Sequence, residues 1–182
     1  MTTPQIVFYK PKELFYEFSN FYQCSIQLLN KEWLNAEQYY QAMKFYLPNS
    51  PEHMEYFELI HKTDSPMKAF ALGCQKKQNG VRGQWFINKK TCKESLNNVI
   101  NKYKHLKPRD DWDLIKMSIM TDVLSAKFTQ HKYLKDLLLS THNSEIIEDS
   151  PRDYYWGIGK NKNGQNNLGK LLVKVRQSLQ NS

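Results

Sequence analysis

Cysteine is scarce in this chain: Cys24, Cys74 and Cys92 are an odd number among 182 residues, with no C-x-x-C pair and no matching histidine spacing. That excludes a disulfide scaffold and a structural zinc site as organising devices. Apolar runs are short too, and none approaches the roughly 18 residues of a membrane span. The start, Met1-Thr2-Thr3-Pro4-Gln5-Ile6, has neither the basic stretch nor the apolar core of a secretion signal. A soluble, cytoplasmic protein with no membrane partner is the expectation. Acid is the minority charge, 18 Asp and Glu against 26 Lys and Arg, for a net charge of +8.

What is abundant is apolar and aromatic. Hydrophobic residues make up 40% and aromatic residues 13% of the sequence, which places it among globular chains. Its length suits one domain over residues 1–182 with a sizeable core. The basic excess is local, with Lys76, Lys77, Arg82, Lys89, Lys90, Lys93, Lys102, Lys104, Lys107 and Arg109 between residues 76 and 109. Such a segment either attracts a phosphate-bearing ligand or nucleic acid through its field or is a solvated surface. Trp85, Phe86 and Tyr103 among the lysines keep base stacking open. The five histidines, His53, His61, His105, His131 and His142, are scattered and suit surface or cap positions.

The periodicities predict mainly α structure with a few short β-strands. Ile6 to Tyr9 reads as a strand, and Ser25 to Leu29 with Glu32 to Leu34 as a hairpin. Residues 36 to 47 read as a helix ended by Pro48, and Pro51 opens another to about Lys62. Ser65-Pro66 is an N-cap with proline at the first helical position. Trp112, Ile115, Ile119, Val123 and Ala126 keep one face of a long helix apolar. Lys132 to Leu139 makes a shorter helix, and Asn167 to Leu179 a last one that buries Leu168, Leu171, Leu172, Val175 and Leu179.

Two places stand out against this background. Helical spacing puts Glu37, Gln41 and Lys44 in one polar stripe on a helix otherwise rich in aromatic and small residues. Asp153 follows the turn Asp149-Ser150-Pro151-Arg152 and precedes Tyr154-Tyr155-Trp156-Gly157. Two carboxylates in aromatic settings are the ingredients of a site that cleaves a glycosidic bond. The Gly/Asn-rich loop from Gly157 to Asn167 either aims backbone N–H groups at an anion or is an ordinary surface loop.

The motifs Phe8-Tyr9, Glu17-Phe18-Ser19-Asn20-Phe21, Ala36-Glu37-Gln38-Tyr39-Tyr40-Gln41-Ala42-Met43-Lys44-Phe45, Ala126-Lys127-Phe128, Asp153-Tyr154-Tyr155-Trp156-Gly157 and Asn167-Leu168-Gly169, taken in that order, resemble those of the YbiA-like, or NADAR, family. The resemblance covers nearly the whole chain. It implies a compact α+β domain and an N-glycosidase. The substrate class it implies is a phosphorylated ribosyl small molecule, such as a ribosylamino-pyrimidine of riboflavin synthesis, or ADP-ribosylated guanine in nucleic acid. The family's name also records a proposed link to NAD and ADP-ribose.

Carried over by position, Glu37 and Asp153 are the implied catalytic residues and Trp112 a residue of the pocket. Cleaving a ribosyl C–N bond builds positive charge on the sugar, which a carboxylate stabilises, and a second carboxyl moves the proton. Asp153 is assigned to sugar and water and Glu37 to proton transfer, with the two roles interchangeable. Trp112 stacks on the base or packs in the core. Lys44 binds a phosphate or balances Glu37. Ser19 and Asn20 contact the ligand or fix their loop, and Tyr155 and Trp156 wall the site or fill the core.

Asp153 also suits a simple turn-fixing role. Such hydrolysis needs no cofactor and no metal. Gln38 stands where the family commonly has histidine, a departure that removes a proton-handling or phosphate-binding group. Ile158 departs likewise after Gly157. The stretch from about 78 to 107 is longer than in compact relatives and suits an accessory substrate-binding insertion. Two other readings stand beside the enzyme: a non-catalytic ADP-ribose or NAD-binding module, and a basic nucleic-acid-binding protein.

Overall fold

The computed structural model describes residues 4–74, 77–78, 81–82 and 94–181. Its helices are α1 (Ala36–Met43), α2 (Pro51–His61), α3 (Pro66–Gly73), α4 (Glu94–Lys102), α5 (Trp112–Gln130), α6 (Lys132–Leu139) and α7 (Asn167–Gln180). Short strands form three separate pairs: β1 (Gln5–Phe8) with β6 (Glu145–Glu148), β2 (Ile26–Leu28) with β3 (Lys31–Trp33), and β4 (Lys77–Gln78) with β5 (Val81–Arg82). The α+β class expected from the sequence is the observed one.

The centre of the fold is α1. All eight of its residues are buried, and it packs against α2, α3, α5 and β3. Asn35 starts it by accepting a hydrogen bond from the Gln38 amide at 2.8 Å, satisfying a donor that the first turn leaves open. The helix ends at Met43, four residues short of the expected 47, because Phe45 N–H turns back to the Ala42 carbonyl in a tighter turn. α3 starts as expected, with Ser65 capping and Pro66 at its first position.

Two features escaped the sequence pattern. β6 pairs in parallel with β1, Ile6 opposite Ile146 and Phe8 opposite Glu148, a contact between the two ends of the chain. α5 buries its stripe only from Ile119 onward, while Trp112 and Ile115 are half-buried. Near its end Lys127 is fully buried among residues whose spacing suggested apolar packing alone.

Of the basic segment, residues 83–93, with Trp85, Phe86, Lys89, Lys90, Cys92 and Lys93, lie outside the described residues, as does Lys76. The described part corrects the stacking expectation for Tyr103: it is 1% exposed and packs on Tyr56 with ring centroids 4.9 Å apart. Ile100 and Leu106 are buried beside it in the same core. Lys102 pairs with Glu55 at 3.2 Å and His105 with Glu52 at 2.8 Å, so acids of α2 face part of this positive stretch. No described helix is long and apolar enough to cross a membrane.

Candidate active site

Glu37 sits in the first turn of α1 and is only 5% exposed. Its amide donates to the Asn20 carbonyl at 3.0 Å, and one carboxyl oxygen accepts from Gln41 Nε2 at 2.6 Å. Burial pushes its pKa up to about 7; the Gln41 bond and the Lys44 charge oppose the rise, and the Asp153 charge adds to it. A carboxyl poised near neutrality exchanges protons readily.

Lys44, two helical turns beyond Glu37, donates to the Gly73 carbonyl at 3.1 Å and lies over the rings of Tyr40 at 5.3 Å and Trp112 at 5.8 Å. Arg109 brings Trp112 there. Its amide bonds the Lys44 carbonyl at 2.8 Å, its guanidinium reaches the Tyr46 carbonyl at 3.2 Å, and Asp111 grips it from the other side. The end of α1 is thereby tied to the start of α5. Tyr40 then meets Trp112 edge-on at 5.0 Å and Trp156 at 5.5 Å, and its hydroxyl accepts from Trp156 Nε1 at 3.3 Å. Tyr155 adjoins Trp156 at 5.0 Å beneath Lys116 Nζ, 4.3 Å from its ring centre. Aromatic edges and cations thus surround the acidic group.

Asp153 is set by its own turn. One carboxyl oxygen accepts the amides of Tyr155 at 2.8 Å and Trp156 at 2.7 Å. The turn-fixing role is therefore real, and it also aims the rest of the carboxyl, whose charge reaches Glu37.

Ser19 and Asn20 lie under the N-terminus of α1. Ser19 Oγ accepts from the Phe21 amide at 3.1 Å, while Asn20 Nδ2 contacts Met120 Sδ at 3.5 Å and Asn20 Oδ1 is buried without a hydrogen-bond partner. Lys127 secures this loop from behind, donating to the Glu17 carbonyl at 2.6 Å and the Ser19 carbonyl at 2.9 Å.

The structure bears on two readings here. Gln38 points away from the carboxylates: it accepts from the Leu34 amide at 2.8 Å and donates to the carbonyls of His61 at 2.7 Å and Thr63 at 2.8 Å. A residue at that position braces the hairpin against the end of α2, so the departure from histidine does not empty the site of a proton carrier. The Gly157–Asn167 loop turns most of its amides inward. The amides of Ile158, Gly159, Gly164, Gln165, Asn166, Asn167 and Leu168 donate to carbonyls of Glu148, Ser150, Ile158, Tyr154, Gly157, Tyr155 and Trp156, which folds the loop onto itself and onto Asp153.

One acidic residue was missed. Glu148, at the end of β6, feels the charges of Asp153 and Glu37 and is held, mainly by burial, at a pKa of about 8. Its spacing from Asp153 is a poor signal in sequence, because the strand that carries it is four residues long and pairs with a segment 140 positions away. Among the described residues no three His, Cys, Asp or Glu gather as metal ligands would. The three carboxyls interact through their fields across the site.

A model of the NADAR domain matches residues 7–180 of the chain. The chain is 33% identical over 177 residues to the N-glycosidase Npun_R5314 of Nostoc punctiforme, covering 97% of this chain and 93% of that one. It is 30% identical over 179 residues to the chloroplastic riboflavin biosynthesis protein PYRR of Zea mays, covering 96% of this chain and 25% of that longer one. The NMR structure of the Escherichia coli protein YbiA superposes with a TM-score of 0.72 at 30% identity, over 99% of this chain and 87% of the other.

Proposed function

The chain belongs to the NADAR domain family, and from that premise we propose that it is an N-glycosidase that hydrolyses the N-ribosyl bond of a phosphorylated, nucleotide-like substrate. The observation that carries the proposal is the pairing of Glu37, sealed in the protein and held near neutrality, with Asp153, aimed by two backbone amides. Breaking a ribosyl C–N bond leaves positive charge on the anomeric carbon and ring oxygen. In this reading the Asp153 charge stabilises that cation more than the ground state, and Glu37 moves the proton. The opposite burial of the two groups supports this division, since Glu37 is 5% exposed and Asp153 only half-buried.

The remaining roles follow from placement. Trp112, Tyr155 and Trp156 wall the site against a planar base, and Lys44, over the rings of Tyr40 and Trp112, meets a phosphate or the polar edge of the ligand. Asn20 supplies a buried acceptor oxygen. Ser19 acts through the loop that it fixes. The name of one relative, a riboflavin biosynthesis protein, supports a ribosylamino-pyrimidine substrate; ADP-ribosyl-guanine in nucleic acid is the other substrate proposed. No cofactor is required. The segment 78–107 is proposed as an accessory element for the larger of these substrates; because Ile100, Tyr103 and Leu106 fill the core, the test is substitution and not deletion, and Lys89→Glu with Lys90→Glu is expected to weaken binding of ADP-ribosylated DNA while the small substrate turns over as before.

The test is release of the free base from an ADP-ribosylated guanine oligonucleotide and from phosphorylated ribosylamino-pyrimidines, followed by chromatography. Glu37→Gln and Asp153→Asn are each expected to lower kcat by roughly 100-fold or more in folded protein. Binding of ADP-ribose with no release from any substrate would instead make the protein a binding module.

A further inference from the structure

We infer that Glu148 is the proton donor to the departing base, completing a site in which Glu37 serves as base toward water. This assignment rests on the N-glycosidase reading above and extends it to a residue that neither the motif pattern nor that reading uses.

The inference begins with how rigidly Glu148 is held. Its amide donates to Asn166 Oδ1 at 3.0 Å, and Asn166 Nδ2 reaches back to the Ile146 carbonyl at 2.9 Å. One side chain thus clamps β6 on both sides of Ile147. The Glu148 carbonyl accepts the Ile158 amide at 3.0 Å, and the next amide, Asp149 N–H, bonds the Phe8 carbonyl at 3.0 Å. Gly157 fits between the Glu148 and Asp153 backbones so closely that a Cβ there would lie 2.8 Å from one carbonyl oxygen and 3.2 Å from the other. The loop that carries Asp153 is therefore packed directly against the residue that carries the third carboxyl.

The carboxyl itself is in an unusual state. Oε2 is sealed from water and has no hydrogen-bond partner among the described residues, although the residue as a whole is only half-buried. A carboxylate anion offers several lone pairs and needs donors for them. With water excluded and no donor in place, an ion there would be strongly destabilised. The groups that face it deepen the effect: Glu37 on α1 and Asp153 on the loop are both acidic. Asp149, the next residue along the chain, is engaged with Lys162. From the cap before α7 comes the neutral Asn166, and from β1 the apolar Phe8. Burial and these facing acids hold the Glu148 pKa up at about 8, and burial holds that of Glu37 at about 7.

That order is what hydrolysis requires. As the C–N bond breaks, its electron pair passes to the base nitrogen, which takes the proton from the Glu148 carboxyl and leaves as a neutral base. Water adds its oxygen to the anomeric carbon and loses a proton to ionised Glu37. The cycle ends with Glu37 protonated and Glu148 ionised, and exchange with bulk water once the products have left restores both. Asp153 takes no part in these proton transfers. Activity then rises as Glu37 ionises near pH 7 and falls as Glu148 ionises near pH 8.

The experiment compares wild type and Glu148→Gln on two substrates. One is a phosphorylated ribosylamino-pyrimidine, whose amine leaves only when protonated; the other is 4-nitrophenyl riboside 5-phosphate, whose phenolate needs no acid. The expected result is a loss of about 100-fold or more in kcat on the first, disappearance of the alkaline limb, and a rate on the second within a few-fold of wild type. Equal losses on both substrates, or none on either, would overturn the assignment while leaving the N-glycosidase reading intact.

Infrared titration of the folded proteins supplies an arm independent of turnover. Wild type should show a protonated-carboxyl band at neutral pH that Glu148→Gln removes and Glu37→Gln does not. A band untouched by Glu148→Gln overturns the assignment even where wild type turns over neither substrate, an outcome that would sink the N-glycosidase reading separately.

Discussion

Gln41 Nε2 donates to Glu37 Oε1 at 2.6 Å, one helical turn away on the same face of α1. That contact holds the candidate proton carrier in a fixed rotamer and is the largest influence opposing the effect of burial on it. The helix period makes the contact possible, and burial gives it weight.

Removing the donor should therefore show in the pH profile. Gln41→Leu takes away a bond that favours the charged carboxylate, so the Glu37 pKa rises further above its present value of about 7. The limb of kcat against pH governed by Glu37 is expected to move upward by about one pH unit, the equivalent of a charge-assisted bond. Gly73→Ala should shift it the same way, because the added Cβ would collide with the Gln41 side chain. The measurement is a kcat profile of each variant from pH 5 to pH 9.

Stability should carry the mark of the same group. Glu37 has a folded pKa of about 7 against an ordinary 4.5, so between those values the native state holds a proton that the unfolded chain has lost. Stability from this group is then full below about pH 4.5 and falls as pH rises towards 7, by as much as roughly 3 kcal/mol. Glu37→Gln cannot ionise. It is expected to narrow or reverse any deficit against wild type on going from pH 5 to pH 8 in urea unfolding, and a difference that stays constant with pH would contradict the assignment.

Gly157→Ala tests the packing between the acidic residues. The added Cβ would approach the Glu148 carbonyl to 2.8 Å, Ser150 Cβ to 3.1 Å and the Asp153 carbonyl to 3.2 Å, and two of those neighbours are backbone. A cost of about 1–3 kcal/mol is expected for the forced shift, together with a loss of activity of more than about 10-fold from the displaced carboxyls. Thermal unfolding and base-release assays read the two effects separately.

Lys127→Met tests the post behind the site. Methionine keeps much of the length of the fully buried side chain but cannot bond the carbonyls of Glu17 and Ser19. Burial already pulls the lysine pKa down to about 8, so the cation is held at a cost. The variant is expected to lose about 1–3 kcal/mol through the orphaned carbonyls and to lose activity as the Asn20 loop loosens its hold on the Glu37 amide. Unchanged kcat with reduced stability would show that the loop keeps its place without the lysine.

Much of the local structure was legible in the chain. The hairpin of β2 and β3, the Ser65-Pro66 start of α3, the whole of α6 and the buried face of α7 follow from turn chemistry, capping and period, all set by residues a few positions apart. The stripe of Glu37, Gln41 and Lys44 was visible for the same reason. Its burial was not, since a polar stripe on a helix ordinarily faces water, and α1 is enclosed only because α2, α3 and α5 close around it.

The sequence by itself determined the α+β class, most of the helices and the pair of motifs that carry Glu37 and Asp153. Tertiary structure alone decided the rest: the parallel pairing of β1 with β6, the place of Glu148 beside those two carboxyls, the turning of Gln38 and Tyr103 into structural roles, and the buried amine of Lys127. The physical reason is one of range. Helical period and capping act over three or four residues and can be read along a chain, whereas desolvation and the sharing of charge depend on which distant segments exclude water from the same few atoms.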